Sequence, residues 1–230
     1  ADTYFCWGKK KIQSNFKTLG YTRLISTLLP NKKKYKKNIL LVSKENERKY
    51  QLWDVEEDNH FFFKKNQDFL SYLPNEILKN TYTRLHPVDN SEMKNRDKIE
   101  FFFKKSNILN TDTEYNKTIK NTKLFIFNYD ATDFYKNIYF NIPSILFLPF
   151  GLKNLRKTAI NDFKKLQEAG IVFFDSKKLS NQIIRIDNDV NLWWNEKKKQ
   201  NAIKLFSNNY CIKNRKFMND IFKILKKFNN

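Results

Sequence analysis

The chain has 230 residues, 44 Lys and Arg against 24 Asp and Glu, and a formal net charge of +20. That length suits one large domain, or one and a half small ones, with a substantial core. With 22 Phe and only 4 Gly, the chain lacks the Gly-rich turn of dinucleotide-binding βαβ units. Cys6 and Cys211 lie far apart, with no Cys or His neighbour at metal-ligand spacing. A reduced compartment and no metal site are expected. No apolar run reaches the length of a bilayer span and no signal peptide is visible, so a cytoplasmic protein is expected.

The positive charge has two readings. Clustered Lys and Arg neutralise phosphates, as nucleic-acid binding requires. Here the basic runs (Lys9–Lys11, Lys32–Lys37, Lys197–Lys199, Lys226–Lys227) are spread along the whole chain. No Arg-rich helix or RNA-binding aromatic signature accompanies them. A compositional lean toward Lys and Asn on solvated faces is therefore preferred, with contact to an anionic membrane surface left open.

In chain order, residues 1–37 read as a tail or linker from a missing N-terminal half, with an aromatic cluster at Tyr4–Trp7 and a charge run at Lys32–Lys37. Ile39–Ser43 is the first buried strand. Asn59 is a candidate N-cap for a helix that buries Phe62, Phe63, Phe69 and Leu70, and Pro74 ends it. Asn80–Leu85 predicts a second strand running into His86-Pro87. A helix over about 91–105, a thin strand at Ile108–Asn110 and a short helical connector at Asn116–Asn121 follow. Lys123–Pro149 then gives strand, polar turn, helix and strand, a βαβ unit whose parallel strands need the crossover helix. The loop after its first strand lies at the carboxyl edge of the sheet, where open α/β sheets bind ligands.

Beyond Pro149, Leu155, Ala159, Phe163 and Leu166 fall on one helical face and Gly170 closes that helix. Ile171–Phe174 is another strand, and Ser176 to about Ile186 another helix. Asn188 or Asp189 caps the next helix, drawn to Cys211, and a last amphipathic helix carries Phe217, Ile221, Ile224, Leu225 and Phe228. These elements predict an α/β fold: a Rossmann-like doubly wound parallel sheet of five or six strands with extra C-terminal helices. The expected divisions are 38–187 for the Rossmann-like domain and 188–230 for C-terminal helices packed on it.

Candidate chemistry sits where strands end. Alternation puts Arg84 and His86 on one side of the second strand. A guanidinium's forked donors with an imidazole suit a phosphate or diphosphate, although on sequence chemistry alone an Arg–carboxylate pair and a half-buried structural His before a turn account for them slightly better. The Asp130–Asp133 loop ends a second strand at the same edge. The helix that begins there presents free N–H groups and a partial positive charge, to which Thr132 adds a hydroxyl. His60, beside a Phe run, reads as structural. Asp187-x-Asp189 has the spacing of a metal-binding DxD pair but lies between helices, where capping explains it better. Trp193-Trp194 reads as a helix anchor more than as a stacking platform.

Residues 124–150, followed by Leu166, Ala169, Gly170, Ile171 and then Asp189, Val190, Trp193, Trp194, resemble a family of bacterial surface-carbohydrate biosynthesis transferases. Trp7-Gly8 and Arg84-Leu85-His86-Pro87 fit the same pattern. That family is similar to two-domain GT-B-type glycosyltransferases and to CDP-glycerol glycerophosphotransferases. The resemblance implies the C-terminal half of a GT-B-like architecture, binding a nucleotide-activated sugar or polyol phosphate as substrate with no other cofactor, and its His-Pro motif meeting the phosphates. The expected role is the donor-binding half of a transferase for cell-surface polysaccharide, inactive without its N-terminal half and working in the cytoplasm at the inner face of the membrane. The alternative is a non-catalytic basic α/β binding module, for nucleic acid. The donor-binding residues expected are Arg84, His86, Thr132, Asp130 and Asp133, with the catalytic group unassigned. Asp130 stands where the family has Ser or Thr, and its charge opposes a diphosphate unless it points away, pairs with Arg84 or bonds a sugar hydroxyl.

Overall fold

The computed structural model describes residues 4–9, 16–20, 36–43, 59–85, 100–109, 112–214 and 216–226. Outside these lie His86, the beginning of the helix drawn from Ser91, and Phe228; the Asn59, Phe217 and Ile224 side chains are likewise not described. Of the segment expected as a tail, β1 (Tyr4–Cys6) and β2 (Phe16–Thr18) form a small parallel pair that the sequence reading did not contain. The pair is tied to the end of the chain: Lys9 N–H donates to Asn208 O and Ile212 N–H to Trp7 O. Gly8 is needed at that junction, because a Cβ there would overlap the Asn209 backbone.

The main sheet begins with β3 (Asn38–Val42), an apolar run buried at every position. After α1 (Asn59–Ser71) comes a single turn, α2 (Asn75–Leu78), also absent from the sequence reading. It leads into β4 (Thr81–Arg84), β5 (Asn107–Leu109) and α3 (Asp112–Lys120), which is longer than the expected connector. Next come β6 (Thr122–Phe127), α4 (Thr132–Phe140), β7 (Ser144–Phe147), α5 (Lys157–Glu168), β8 (Val172–Phe173) and α6 (Ser176–Ile186). Among the described residues the strands form one six-stranded sheet in the order β5-β4-β3-β6-β7-β8, with every pairing parallel. This is the doubly wound Rossmann order, whose direction reverses between the third and fourth strands of the row.

Helices cover both faces. On one, α1 packs on α6, and Ser176 and Ser180, one turn apart, donate to the carbonyls of Lys65 and Phe69 at 2.8 and 2.9 Å. Small hydroxyl side chains let the two helices approach closely while each hydroxyl keeps an acceptor. The α5 terminus is a Schellman motif: Gly170 (φ 74°) and Ile171 donate to Gln167 O and Leu166 O, with Leu166 and Ile171 both fully buried.

The single helix expected from Asn188 to Cys211 is two helices, α7 (Val190–Trp194) and α8 (Lys197–Tyr210). The break at Asn195-Glu196 frees the Trp194 carbonyl, which Gln200 Nε2 reaches at 2.8 Å. Apolar periodicity continues across the break, which is why pattern alone joins them. On the opposite face of the sheet from α1, α4 and α5 pack on α8, and Phe134, Tyr135, Phe163, Phe206 and Tyr210 make one ring cluster. The last helix, α9 (Phe217–Lys226), turns Met218, Phe222 and Leu225 outward.

Cys211 closes this layer, wholly buried, and desolvation pushes its thiol up from 9.0 to about 11. Tyr135 and Tyr210 are raised as well, by burial first and then by Asp130 for Tyr135 and by the bond to Asp162 for Tyr210. A raised folded-state pKa gives stability that is complete below the unfolded value and lost as pH rises through the folded one. Chemical denaturation is therefore expected to show stability falling between pH 9.0 and about 11. Cys211→Ala should remove about 2–3 kcal/mol of that fall, since each pH unit between the unfolded and folded values is worth about 1.4 kcal/mol.

Candidate functional site at the carboxyl edge of the sheet

At the reversal between β3 and β6 the sheet edge has a polar floor. Ser43 follows β3, Asn128 follows β6, and Asn66 reaches in from α1; all three are at most 1% exposed. Asn128 Nδ2 donates to Ser43 Oγ at 3.0 Å and to Asn66 Oδ1 at 3.1 Å, and Asn66 Nδ2 donates to Phe62 O at 2.8 Å. Buried amides need such partners, so the floor holds the two strand ends and α1 in one geometry. The sequence reading missed this triad. Its one visible trace was Asn66 on the apolar face shared by Phe62, Phe69 and Leu70.

Arg84 stands level with the reversal, since Val42 pairs with Arg84 on one side and with Phe127 on the other. Its guanidinium lies on the Tyr115 ring of α3, 3.7 Å from the centroid. Held against that ring, the cation is oriented, and it also hydrogen-bonds the Tyr115 side chain. Asp133 and Arg84 act together on Tyr115, Tyr129 and Lys136, so these five groups form one electrostatic cluster. Burial raises both tyrosines first, Asp133 adds to the rise, and Arg84 opposes it. Both phenols are thus protonated donors at neutral pH. Burial lowers Lys136, with Asp133 pulling the other way from 4.0 Å.

The turn after β6 delivers the α4 N-terminus to this cluster. Ala131 is its N-cap, in an extended conformation, and among the described residues no side chain caps the helix. By contrast α6 and α7 are closed by Asp175 and Asp189, which accept from Lys178 N and Leu192 N at 2.8 Å each. Thr132 and Asp133 are the first two residues of α4 and both are half-buried. A helix start left open in this way offers backbone donors to an anion.

Asp130 is engaged elsewhere. Its Oδ1 accepts from Tyr135 Oη at 2.7 Å, and the Tyr135 ring stacks on Phe206 of α8. The residue as a whole is exposed, yet its carboxyl is packed closely enough that desolvation raises its pKa, with the Tyr135 bond opposing. So Arg84 and Asp133 share one electrostatic cluster, Thr132 precedes Asp133 in the first turn of α4, Asp130 is tied to Tyr135, and His86 lies outside the described residues. Asp187 pairs with Lys123 at 2.7 Å while Asp189 caps α7, so the DxD pair is spent on structure.

No curated protein matches the chain. Among solved structures it is similar to the wall teichoic acid polymerase TagF, at 13% identity and a TM-score of 0.45, covering 84% of this chain and 43% of that one. It is also similar to accessory secretory protein 1, 2 and 3 of Streptococcus pneumoniae (14%, TM-score 0.40, 84% and 35%). A third is UDP-GlcNAc 2-epimerase from Neisseria meningitidis bound to UDP-GlcNAc (9%, TM-score 0.39, 74% and 43%). The chain spans less than half the length of each of these. A profile of known sequences matches residues 1–225, nearly the whole chain, and by that match the chain belongs to the LIC12162 family of transferases.

Proposed function

We propose that this chain is the nucleotide-donor-binding half of a glycosyltransferase-like transferase that builds cell-surface polysaccharide. The observation that carries the reading is the electrostatic cluster that Arg84, held on the Tyr115 ring, shares with Asp133 in the first turn of α4, beside the strand-order reversal. The diphosphate lies against the α4 N–H groups, Arg84 gives it forked charge-assisted hydrogen bonds, and Thr132 adds its hydroxyl. His86, two residues beyond Arg84, is the further donor. Tyr115 and Tyr129 present protonated hydroxyls, while Asp133 accepts from a ribose or sugar hydroxyl and partners Lys136. With Asp130 held by Tyr135, its repulsion of a diphosphate is reduced.

In this reading the chain is the C-terminal half of a GT-B-like architecture. The acceptor and the group that activates it belong to an N-terminal half, so residues 1–230 bind donor without turning it over. The donor is a substrate and no other cofactor takes part; the work is done in the cytoplasm at the inner face of the membrane. Calorimetric titration of the chain with CDP, UDP, GDP and TDP tests the reading. One base is expected to be preferred, with modest salt dependence. Indifference to all four, beside oligonucleotide binding that falls steeply with salt, would instead support a basic nucleic-acid-binding module.

A further inference from the structure

The outward side of α9 has a chemistry of its own. Met218, Phe222 and Leu225, at i, i+4 and i+7, form one stripe and are 46%, 57% and 52% exposed. At 100° per residue, Lys226 lies beside that stripe and Lys223 about 60° further around the helix, and both are exposed. The helix is oriented from its inner side: Asn214 Nδ2 donates to Asp220 Oδ2 at 2.9 Å and to Leu19 O at 2.8 Å. The acidic group of α9 is therefore turned inward, and the bases and the apolar stripe share the outside. In the loop entering α9, Ile212 and Lys213 line a groove of about 360 Å³ together with Ile203, Lys204 and neutral polar side chains.

We infer that α9 is a docking element for an anionic lipid bilayer, lying in the plane of the headgroups with Met218, Phe222 and Leu225 inserted. Charge complementarity selects the occupant. The chain carries +20 overall, and Lys216, Lys223 and Lys226 would face one another if a second copy covered the stripe. Three half-exposed side chains also present on the order of 300 Å², well below the roughly 800 Å² per partner of a stable protein interface. Shallow insertion of a basic amphipathic helix needs no more than such a stripe. The inference stands independently of donor binding, because it uses no residue at the sheet edge.

Sedimentation of the full chain with phosphatidylcholine vesicles, with and without phosphatidylglycerol, tests it. Binding is expected only with the anionic lipid and is expected to weaken in high salt. Lys223→Gln with Lys226→Gln should lower the partition coefficient by about 25-fold, roughly five-fold per lysine. Phe222→Gln with Leu225→Gln, which leaves the net charge unchanged, should lower it at least ten-fold while circular dichroism and melting stay unchanged, since both positions are exposed. Undiminished binding by this variant would overturn the inference, because net charge alone would then explain adsorption. No binding to anionic vesicles, or equal binding to neutral ones, would overturn it too. So would a dimer of the wild type that the two Gln substitutions dissociate.

Discussion

Trp194→Ala is expected to lower the unfolding free energy by about 3–5 kcal/mol, a large part of the stability of a domain this size. Trp194 is 2% exposed and its indole N–H is shared between Asn141 O at 3.2 Å and Asn141 Oδ1 at 3.0 Å. Asn141 holds the α4 C-terminus in the left-handed region (φ 55°) and also accepts from Gln200, so one side chain joins α4, α7 and α8. Removing the indole leaves a cavity and frees that joint. The neighbouring Trp193 is a built-in contrast: it is equally buried, but its Nε1 has no partner among the described residues. Both Trp→Phe changes remove the same ring volume from a buried site, so Trp194→Phe should cost about 1–2 kcal/mol more than Trp193→Phe, the worth of the lost hydrogen bond. Urea unfolding of the three variants reads all three values.

Asn128→Asp is expected to cost about 3–5 kcal/mol at neutral pH, the scale of an uncompensated buried charge. The amide now donates to two oxygens, Ser43 Oγ and Asn66 Oδ1. A carboxylate in its place can keep Ser43 by reversing that bond, but it confronts Asn66 Oδ1 oxygen to oxygen. Burial would raise the introduced carboxyl's pKa in the folded state. The variant's penalty is thus smallest in acid, below the unfolded value near 4, and grows as pH rises through the folded one. Asn128→Leu carries no charge, so its smaller loss of about 1–3 kcal/mol should be independent of pH. Denaturation curves from pH 4 to 8 separate the two.

The sheet was legible because its strands are short apolar runs bounded by turns. Ile39–Ser43 overlaps β3, Leu124–Phe127 lies within β6, Ile142–Leu148 contains β7, and α6 begins and ends where Ser176 and Ile186 placed it. The edge that carries Arg84 and the Asp130–Asp133 loop followed from that alternation and from the handedness of crossovers. Elements without a periodic signal were not legible. The three-residue β1 and β2 depend on docking against the far end of the chain, and the α7–α8 break depends on Gln200 reaching a carbonyl. The buried triad joins residues 62 and 85 positions apart, a pairing that no local pattern encodes. The direction of Asp130 was likewise set by Tyr135, whose position depends on the packing of α8.

The proposed nucleoside diphosphate site lies at the sheet edge shared by Arg84 and the first turn of α4. Its most direct measurement is calorimetric titration of the preferred diphosphate into the wild type and into Arg84→Ala, Arg84→Lys, His86→Ala and Thr132→Ala. Arg84→Ala should weaken binding by about 10–100-fold, the loss of charge-assisted hydrogen bonds worth about 1.5–3 kcal/mol. Arg84→Lys should recover only part of that, because a point charge cannot replace the forked donors. Thr132→Ala and His86→Ala should cost less, and the corresponding monophosphate should bind more weakly than the diphosphate. Equal affinity across the wild type and all four variants would contradict the account and place the site elsewhere.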